Sequence, residues 1–204
     1  MHAHTEGFDS ERRLLVVVVI TAIYMLAELV GGVLTGSLAL LADSGHLLGD
    51  VLGLGMALGA IRFARRPATA GKTYGFYRAE ILAALINSMA LVVVSLWILS
   101  AAVQRLISNS KVEAGPMLVI ALGGVVVTLV GAALLHAGVH TSLNVRAAFL
   151  EVVGDLLGSV GTVIAAIIIL VTGWMPADAL ISAIIGILML PRAVGLLRSV
   201  VDVL

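Results

Sequence analysis

Four side chains that can bind a metal ion occur in the sequence as two pairs with the same spacing. His46 and Asp50 are four residues apart, and Glu151 and Asp155 repeat that spacing in the segment FLEVVGD. Residues four apart lie on one face of a helix, so each pair would present two ligands together. One imidazole and three carboxylates in an apolar setting require either protonation or a bound cation. Such nitrogen and oxygen ligands suit tetrahedral zinc, and cobalt and cadmium are chemically close to it.

The segments that carry these pairs are apolar enough to cross a membrane. Of the 204 residues, 61% are hydrophobic and 12% are charged, which is outside the usual range of soluble domains. Apolar runs of about 20 residues predict helices that cross a hydrocarbon layer of roughly 30 Å. We therefore predict an all-α membrane protein, a six-transmembrane-helix bundle with spans at about 13–35, 38–62, 79–104, 114–136, 146–172 and 178–200.

The basic residues predict the orientation of this bundle. Ten of the twelve Lys and Arg residues fall at one set of helix ends, many of them in the link RFARRPATAGKTYGFYR, and Arg192 is counted among these ten. Only Arg105 and Lys111 fall at the opposite ends. Because basic residues concentrate on the cytoplasmic side, both termini are predicted to be cytoplasmic, and the basic link is predicted to meet anionic membrane lipid. The formal net charge is zero, and we expect no nucleic-acid partner.

The two pairs are predicted to lie at the same depth. The second span enters from outside near Leu38, so at about 1.5 Å per residue its pair lies roughly 12–18 Å below the outer surface. The fifth span runs the other way from about Leu143, which places its pair roughly 12–18 Å above the inner surface. In a core of roughly 30 Å these depths coincide. Because ligands must be deprotonated to bind a metal, metal and protons would exchange at this level.

These residues resemble the cation diffusion facilitator family. The pairs on the second and fifth of six spans look like the transport site of that family, and the similarity also covers GSLALLADSGHLLGD, KTYGFYRAEILAALIN and SLNVRAAFLEVVGDLLGSVG. The likeness is greatest to the bacterial cobalt, zinc and cadmium efflux branch. It implies a homodimeric secondary transporter, not an enzyme, in the bacterial inner membrane. Such a protein would export zinc, and also cobalt or cadmium, by proton antiport with alternating access.

The resemblance also assigns the parts of the chain and brings out two departures. Residues 1–204 would form the transmembrane transport domain, with 1–12 as a short cytoplasmic tail. Many zinc-selective relatives have His where this chain has Glu151, which points to cobalt and cadmium as further substrates. Family members usually continue into a cytoplasmic metal-binding domain that helps them to dimerise, whereas this sequence stops at Leu204. We therefore expect a homodimer formed through the spans, along the third span and its neighbours.

Four further ionisable residues have two interpretations each. Glu28 and Asp43 lie toward the outer side, where they would form a proton relay or an acidic exit vestibule, or would only bond to a neighbouring hydroxyl group or lie near water. His136 and His140 are four apart at the cytoplasmic end of the fourth span. They would collect metal at an entrance, or would only be solvated.

Two other function classes would use some of the same residues. An intramembrane aspartyl protease needs two carboxylates in adjacent spans, but its GxGD signature is replaced here by VVGD at 152–155. That class also gives no role to His46 or Glu151. A metal channel could use the same ligands, and proton coupling discriminates, because a channel cannot move metal against its gradient.

Overall fold

The computed structural model describes residues 2–64, 77–108, 110–136, 139 and 143–202. In these residues the chain forms six α-helices and no strand: α1 (His2–Thr35), α2 (Leu38–Ala64), α3 (Tyr77–Ile107), α4 (Ala114–His136), α5 (Leu143–Thr172) and α6 (Pro176–Val201). The prediction of an all-α protein is confirmed. The helices begin and end within three residues of the predicted spans, except that α1 begins at His2, so the predicted tail continues the helix.

Five of the helices are long and apolar enough to cross a membrane. These spans cover Leu14–Thr35 in α1, Ile81–Ile107 in α3, all of α4, Val145–Thr172 in α5 and all of α6. Among the described residues α2 is not counted with them, and it is the helix that carries Asp43, His46 and Asp50. The chain is thus a multi-pass membrane protein. A sixth span and the orientation of the termini stay predictions.

The helices alternate in direction along the chain. Tight turns that contain Gly36 and Gly173, with φ of 70° and 69°, join α1 to α2 and α5 to α6. Glycine adopts this left-handed backbone without the steric cost of a Cβ atom. The backbone N–H of Glu113 donates to the carbonyl of Thr35 (2.9 Å), so α4 begins where α1 ends. We call this side of the bundle the Asp178 end, after a residue in the first turn of α6.

A buried carboxylate holds the Asp178 end together. Asp178 is 1% exposed and accepts hydrogen bonds from the Ser37 hydroxyl (2.6 Å) and from the backbone N–H groups of Leu38 (2.8 Å) and Ala39 (3.1 Å). These N–H groups open α2 and have no partner within that helix. Arg105 of α3 lies 3.4 Å from the same carboxylate. A side chain of α6 therefore caps α2 and ties it to α3.

The helix α2 lies among its neighbours and contacts α1, α3, α5 and α6. Its glycines allow this close approach: a Cβ atom added at Gly49 would lie 2.7 Å from Cδ2 of Leu91 on α3. Large apolar side chains on the outer faces of the helices are exposed, as expected for a surface in contact with lipid. The polar face of α2 is thereby placed inside the bundle.

Candidate metal centre

Three of the four predicted ligands meet inside the bundle. His46 and Asp50 on α2 and Asp155 on α5 each offer one ligand atom, and these atoms all lie within 4.8 Å of one another. Nε2 of His46 is 3.3 Å from Oδ1 of Asp155 and 3.6 Å from Oδ2 of Asp50. Both aspartates are buried. We call these three residues the metal cluster.

The spacing in the metal cluster fits a small divalent cation. Tetrahedral zinc, with bonds of about 2.0–2.1 Å, separates its ligand atoms by roughly 3.4 Å. Oδ2 of Asp50 and Oδ1 of Asp155 face His46, are buried, and accept no hydrogen bond from the part of the chain that the structure describes. A buried carboxylate oxygen without a partner is costly, and a bound cation would remove that cost. Three ligands would leave the fourth tetrahedral position for a water molecule or another side chain.

Glu151, the fourth predicted ligand, lies beside the metal cluster. It is one turn before Asp155 on α5, and its side chain is 27% exposed. Its Oε1 accepts a hydrogen bond from Nη2 of Arg192 on α6. The structure thus brings Glu151 to the edge of the site in an ion pair, and its role as a metal ligand stays a prediction.

The position of Arg192 was not predicted from the sequence, in which it falls among the basic helix ends. The structure places its Nη2 atom 3.4 Å from Oδ1 of Asp50 and its Nη1 atom 3.5 Å from Nε2 of His46. Side chains on a helix tilt toward its N-terminus, so a long side chain on the second half of α6 reaches back toward the cluster. A signal was available, because Arg192 lies inside the predicted span 178–200, where a charge needs a partner.

Two cavities meet at the metal cluster. One, of about 380 Å³, is lined by residues that include Asn87, Met56 and Leu196. The other, of about 330 Å³, extends past Asp43. Three residues line both cavities: His46, Met189 and Arg192. The first cavity is also lined by Gly49, Asp50 and Glu151, and the second by Gly158. The cluster therefore borders open space on two sides.

A second group of buried polar side chains lies next to the metal cluster. Glu28 is 0% exposed and Asp43 is 1% exposed. The Tyr24 hydroxyl donates to Oε1 of Glu28 (2.6 Å), and the Ser159 hydroxyl donates to Oδ2 of Asp43 (3.4 Å). The remaining oxygens, Oε2 of Glu28 and Oδ1 of Asp43, accept no hydrogen bond from a described residue. Each carboxylate thus has the neighbouring hydroxyl that one interpretation expects, and the proton relay or exit vestibule stays a prediction.

The structure describes only one of the two histidines of the predicted entrance. His136 is exposed at the end of α4, with its ring centroid 5.9 Å from that of Phe149 on α5. His140 lies outside the described residues. His136 is not part of the metal cluster, and the entrance stays a prediction.

The chain is similar to known proteins over nearly its whole length. A family profile described as "Cation efflux transmembrane domain" matches residues 14–204. The chain is 47% identical over 206 residues to the zinc transporter ZitB of Escherichia coli strain K12. This alignment covers 98% of the chain and 66% of that protein. It is 44% identical over 203 residues to the metal cation efflux system protein CzcD of Cupriavidus metallidurans, covering 100% of this chain and 64% of that protein.

A third relative has a name that includes protons. The chain is 42% identical over 205 residues to the "Cadmium, cobalt and zinc/H(+)-K(+) antiporter" of Bacillus subtilis strain 168, covering 100% of this chain and 66% of that protein. The chain spans slightly less than two thirds of the length of each of these relatives.

Proposed function

Because the chain belongs to the cation diffusion facilitator family, the cation efflux proteins, we propose that it exports divalent metal ions from the bacterial cytoplasm in exchange for protons. The observation that carries this proposal is the metal cluster, in which His46, Asp50 and Asp155 hold three ligand atoms within 4.8 Å inside a bundle of apolar helices. Buried carboxylate oxygens that accept no hydrogen bond are costly in such a bundle, and a bound cation would remove that cost.

The proposed substrates are zinc and, as further substrates, cobalt and cadmium. One imidazole nitrogen and two carboxylate oxygens are ligands of the kind that zinc accepts. Names of relatives support the choice, since one is a zinc transporter and another a cadmium, cobalt and zinc antiporter. The sequence has no cysteine, so methionine supplies all the soft sulfur donors of this chain.

The charges support an exchange of one divalent ion for protons. Asp50 and Asp155 together carry two negative charges when ionised, which matches a divalent cation, while the charge of Glu151 is balanced by Arg192. A carboxylate or imidazole must be deprotonated to bind a metal ion. Metal binding therefore releases protons and protonation expels metal, which couples the two flows.

Alternating access would use the two cavities that border the cluster. Each cavity would be the path to one side of the membrane, and the cluster would open to one of them at a time. With both termini cytoplasmic, as the basic residues predict, the Asp178 end faces outward and the cavity past Asp43 leads to the periplasm.

The working unit of this transporter in the bacterial inner membrane is proposed to be a homodimer formed through the spans. The exposed apolar side chains of α3, among them Val93 (65% exposed), would lie at or near the contact. The sequence has no cysteine, so a Val93→Cys variant can be cross-linked in native membranes. Dimers are expected, and a strictly monomeric protein there would contradict this part of the proposal.

Flux into proteoliposomes tests the function. Vesicles with an acidic interior should take up zinc, cobalt and cadmium against their concentration gradients, and manganese should be taken up less, because it prefers harder oxygen sites. Uptake should stop when the pH difference is removed. Downhill metal flux that ignores the pH difference would identify a channel instead.

A further inference from the structure

Resting on the proposed function, we propose that Arg192 acts as a tethered cation that sets the metal affinity of the site. Its guanidinium lies at the acidic edge of the metal cluster, and a metal ion bound there must displace it. The guanidinium of Arg192 meets three of the four predicted ligands, Asp50, Glu151 and His46.

The guanidinium of Arg192 lies within a few ångströms of the position that a bound cation would take. Nη2 of Arg192 bonds to Glu151 and lies 3.4 Å from Oδ1 of Asp50, whose other oxygen faces His46. Nη1 lies 3.5 Å from Nε2 of His46, the atom nearest to both aspartates. A cation bound between these atoms would be within a few ångströms of the guanidinium. Two positive charges so close in a site of low dielectric repel strongly.

The second step concerns charge. The guanidinium of arginine stays protonated in proteins, so a change in its own protonation cannot remove it. Relief of the repulsion therefore requires movement of the side chain. Arg192 has room to move, since its side chain is 46% exposed and lines both cavities. Displacement of Arg192 from Asp50 and Glu151 would expose further carboxylate oxygen to the ion.

The third step is the consequence for transport. A transport site must bind its ion well enough to load it and weakly enough to release it. A guanidinium that returns to Asp50 and Glu151 stabilises the empty site, which lowers metal affinity and favours release. Its loss should then trap metal at the site.

A purely structural role for Arg192 predicts a different result. In that case the ion pair with Glu151 only joins α6 to α5, and its removal would loosen the site and weaken metal binding. Arg198 offers a matched control, because it is an exposed arginine farther along the same helix. The direction of the change in affinity thus separates the two roles.

Equilibrium zinc binding to the full chain in detergent, measured by competition with a fluorescent chelator, tests the proposal. Arg192→Gln should bind zinc at least about tenfold more tightly than the parent with unchanged stoichiometry, because it removes a positive charge a few ångströms from the ion. Arg192→Lys, which keeps the charge, and Arg198→Gln should bind as the parent does. Unchanged or weaker binding by Arg192→Gln would overturn the proposal.

Arg192→Gln leaves Glu151 without its ion-pair partner, and the single variant could therefore fail to fold. A double variant avoids this unpaired charge. The double variant Arg192→Gln/Glu151→Gln removes both charges of the pair, and it should bind zinc more tightly than Glu151→Gln alone. Equal or weaker binding by the double variant would overturn the proposal. Failure of the proposed function looks different, because the parent itself would then show no saturable zinc binding.

Discussion

At the scale of single residues, the metal cluster combines an imidazole with two carboxylates whose inner oxygens have no hydrogen-bond donor among the described residues. A cation can bind to these two oxygens without breaking a hydrogen bond of their own. The spacing of four residues in the sequence predicted His46 beside Asp50. It also placed Glu151 and Asp155 on one helix face, but only Asp155 joins the cluster, because Arg192 engages Glu151. No pattern in the sequence says which side chain the arginine reaches.

Replacement of Asp50 tests its role as a ligand. Asp50→Asn removes a negative charge from the cluster while it preserves the shape of the side chain. We expect zinc affinity to fall by at least about 100-fold, since even residues that only support metal ligands affect affinity by about 10–100-fold. Isothermal titration calorimetry checks this, with the exposed Asp202→Asn as control. Parent-like affinity in Asp50→Asn would exclude Asp50 from the site.

Replacement of Glu151 tests the position at which many zinc-selective relatives have His. Glu151→His exchanges a carboxylate, which can bind with two oxygens, for a single nitrogen donor. We expect zinc transport to persist and the uptake of cobalt and cadmium to fall relative to zinc. Competition flux with pairs of metals measures this ranking. The ranking of the parent, retained in the mutant, would show that Glu151 is not a metal ligand.

At the scale of the helices, α2 carries two of the predicted ligands among its four neighbouring helices, and a side chain of α6 caps its first turn. The hydrophobic runs predicted where the six helices lie, since their lengths and loop boundaries depend on local composition. The role of Asp178 was not predicted. An acidic residue in the first turn of α6 is the ordinary complement to the dipole of that helix, yet here it accepts hydrogen bonds from α2. Only the packing of the helices reveals this partner.

Removal of the Asp178 carboxylate should therefore destabilise the bundle. Asp178→Ala leaves the Ser37 hydroxyl, two N–H groups of α2 and the Arg105 guanidinium without their buried acceptor. We expect a loss of about 3 kcal/mol in the free energy of unfolding. Denaturant unfolding in detergent micelles, followed by circular dichroism, measures it. Asp202→Ala, at the exposed end of the same helix, should have little effect, and an equally small effect of Asp178→Ala would refute the capping role.

At the scale of the whole molecule, metal export requires that the bundle have one orientation in the membrane. The alternation of the helices puts the start of α1 and the end of α6 on the side away from Asp178. The balance of basic residues predicts that this side is cytoplasmic. Arg192 was one of the ten residues in that balance. The nine others still outnumber Arg105 and Lys111, so the predicted orientation does not depend on it.

Single cysteines in this cysteine-free chain test the orientation. Ser108 lies just after α3 at the Asp178 end, and Asp202 lies just after α6 at the other end; both are exposed. A membrane-impermeant maleimide added to intact spheroplasts should label Ser108→Cys, and it should label Asp202→Cys only after the membrane is opened. The reverse pattern of labelling would invert the proposed direction of transport.

The most direct test of the central claim is zinc uptake by Asp155→Asn in proteoliposomes with an acidic interior. Asp155 joins α5 to the predicted ligand His46 of α2, so its change interrupts the cluster while α2 stays intact. Proton-driven zinc uptake should be abolished in Asp155→Asn and retained in Asp202→Asn, with both proteins inserted and folded to the same extent. Uptake by Asp155→Asn at the rate of the parent would contradict the claim that the cluster of His46, Asp50 and Asp155 carries the metal.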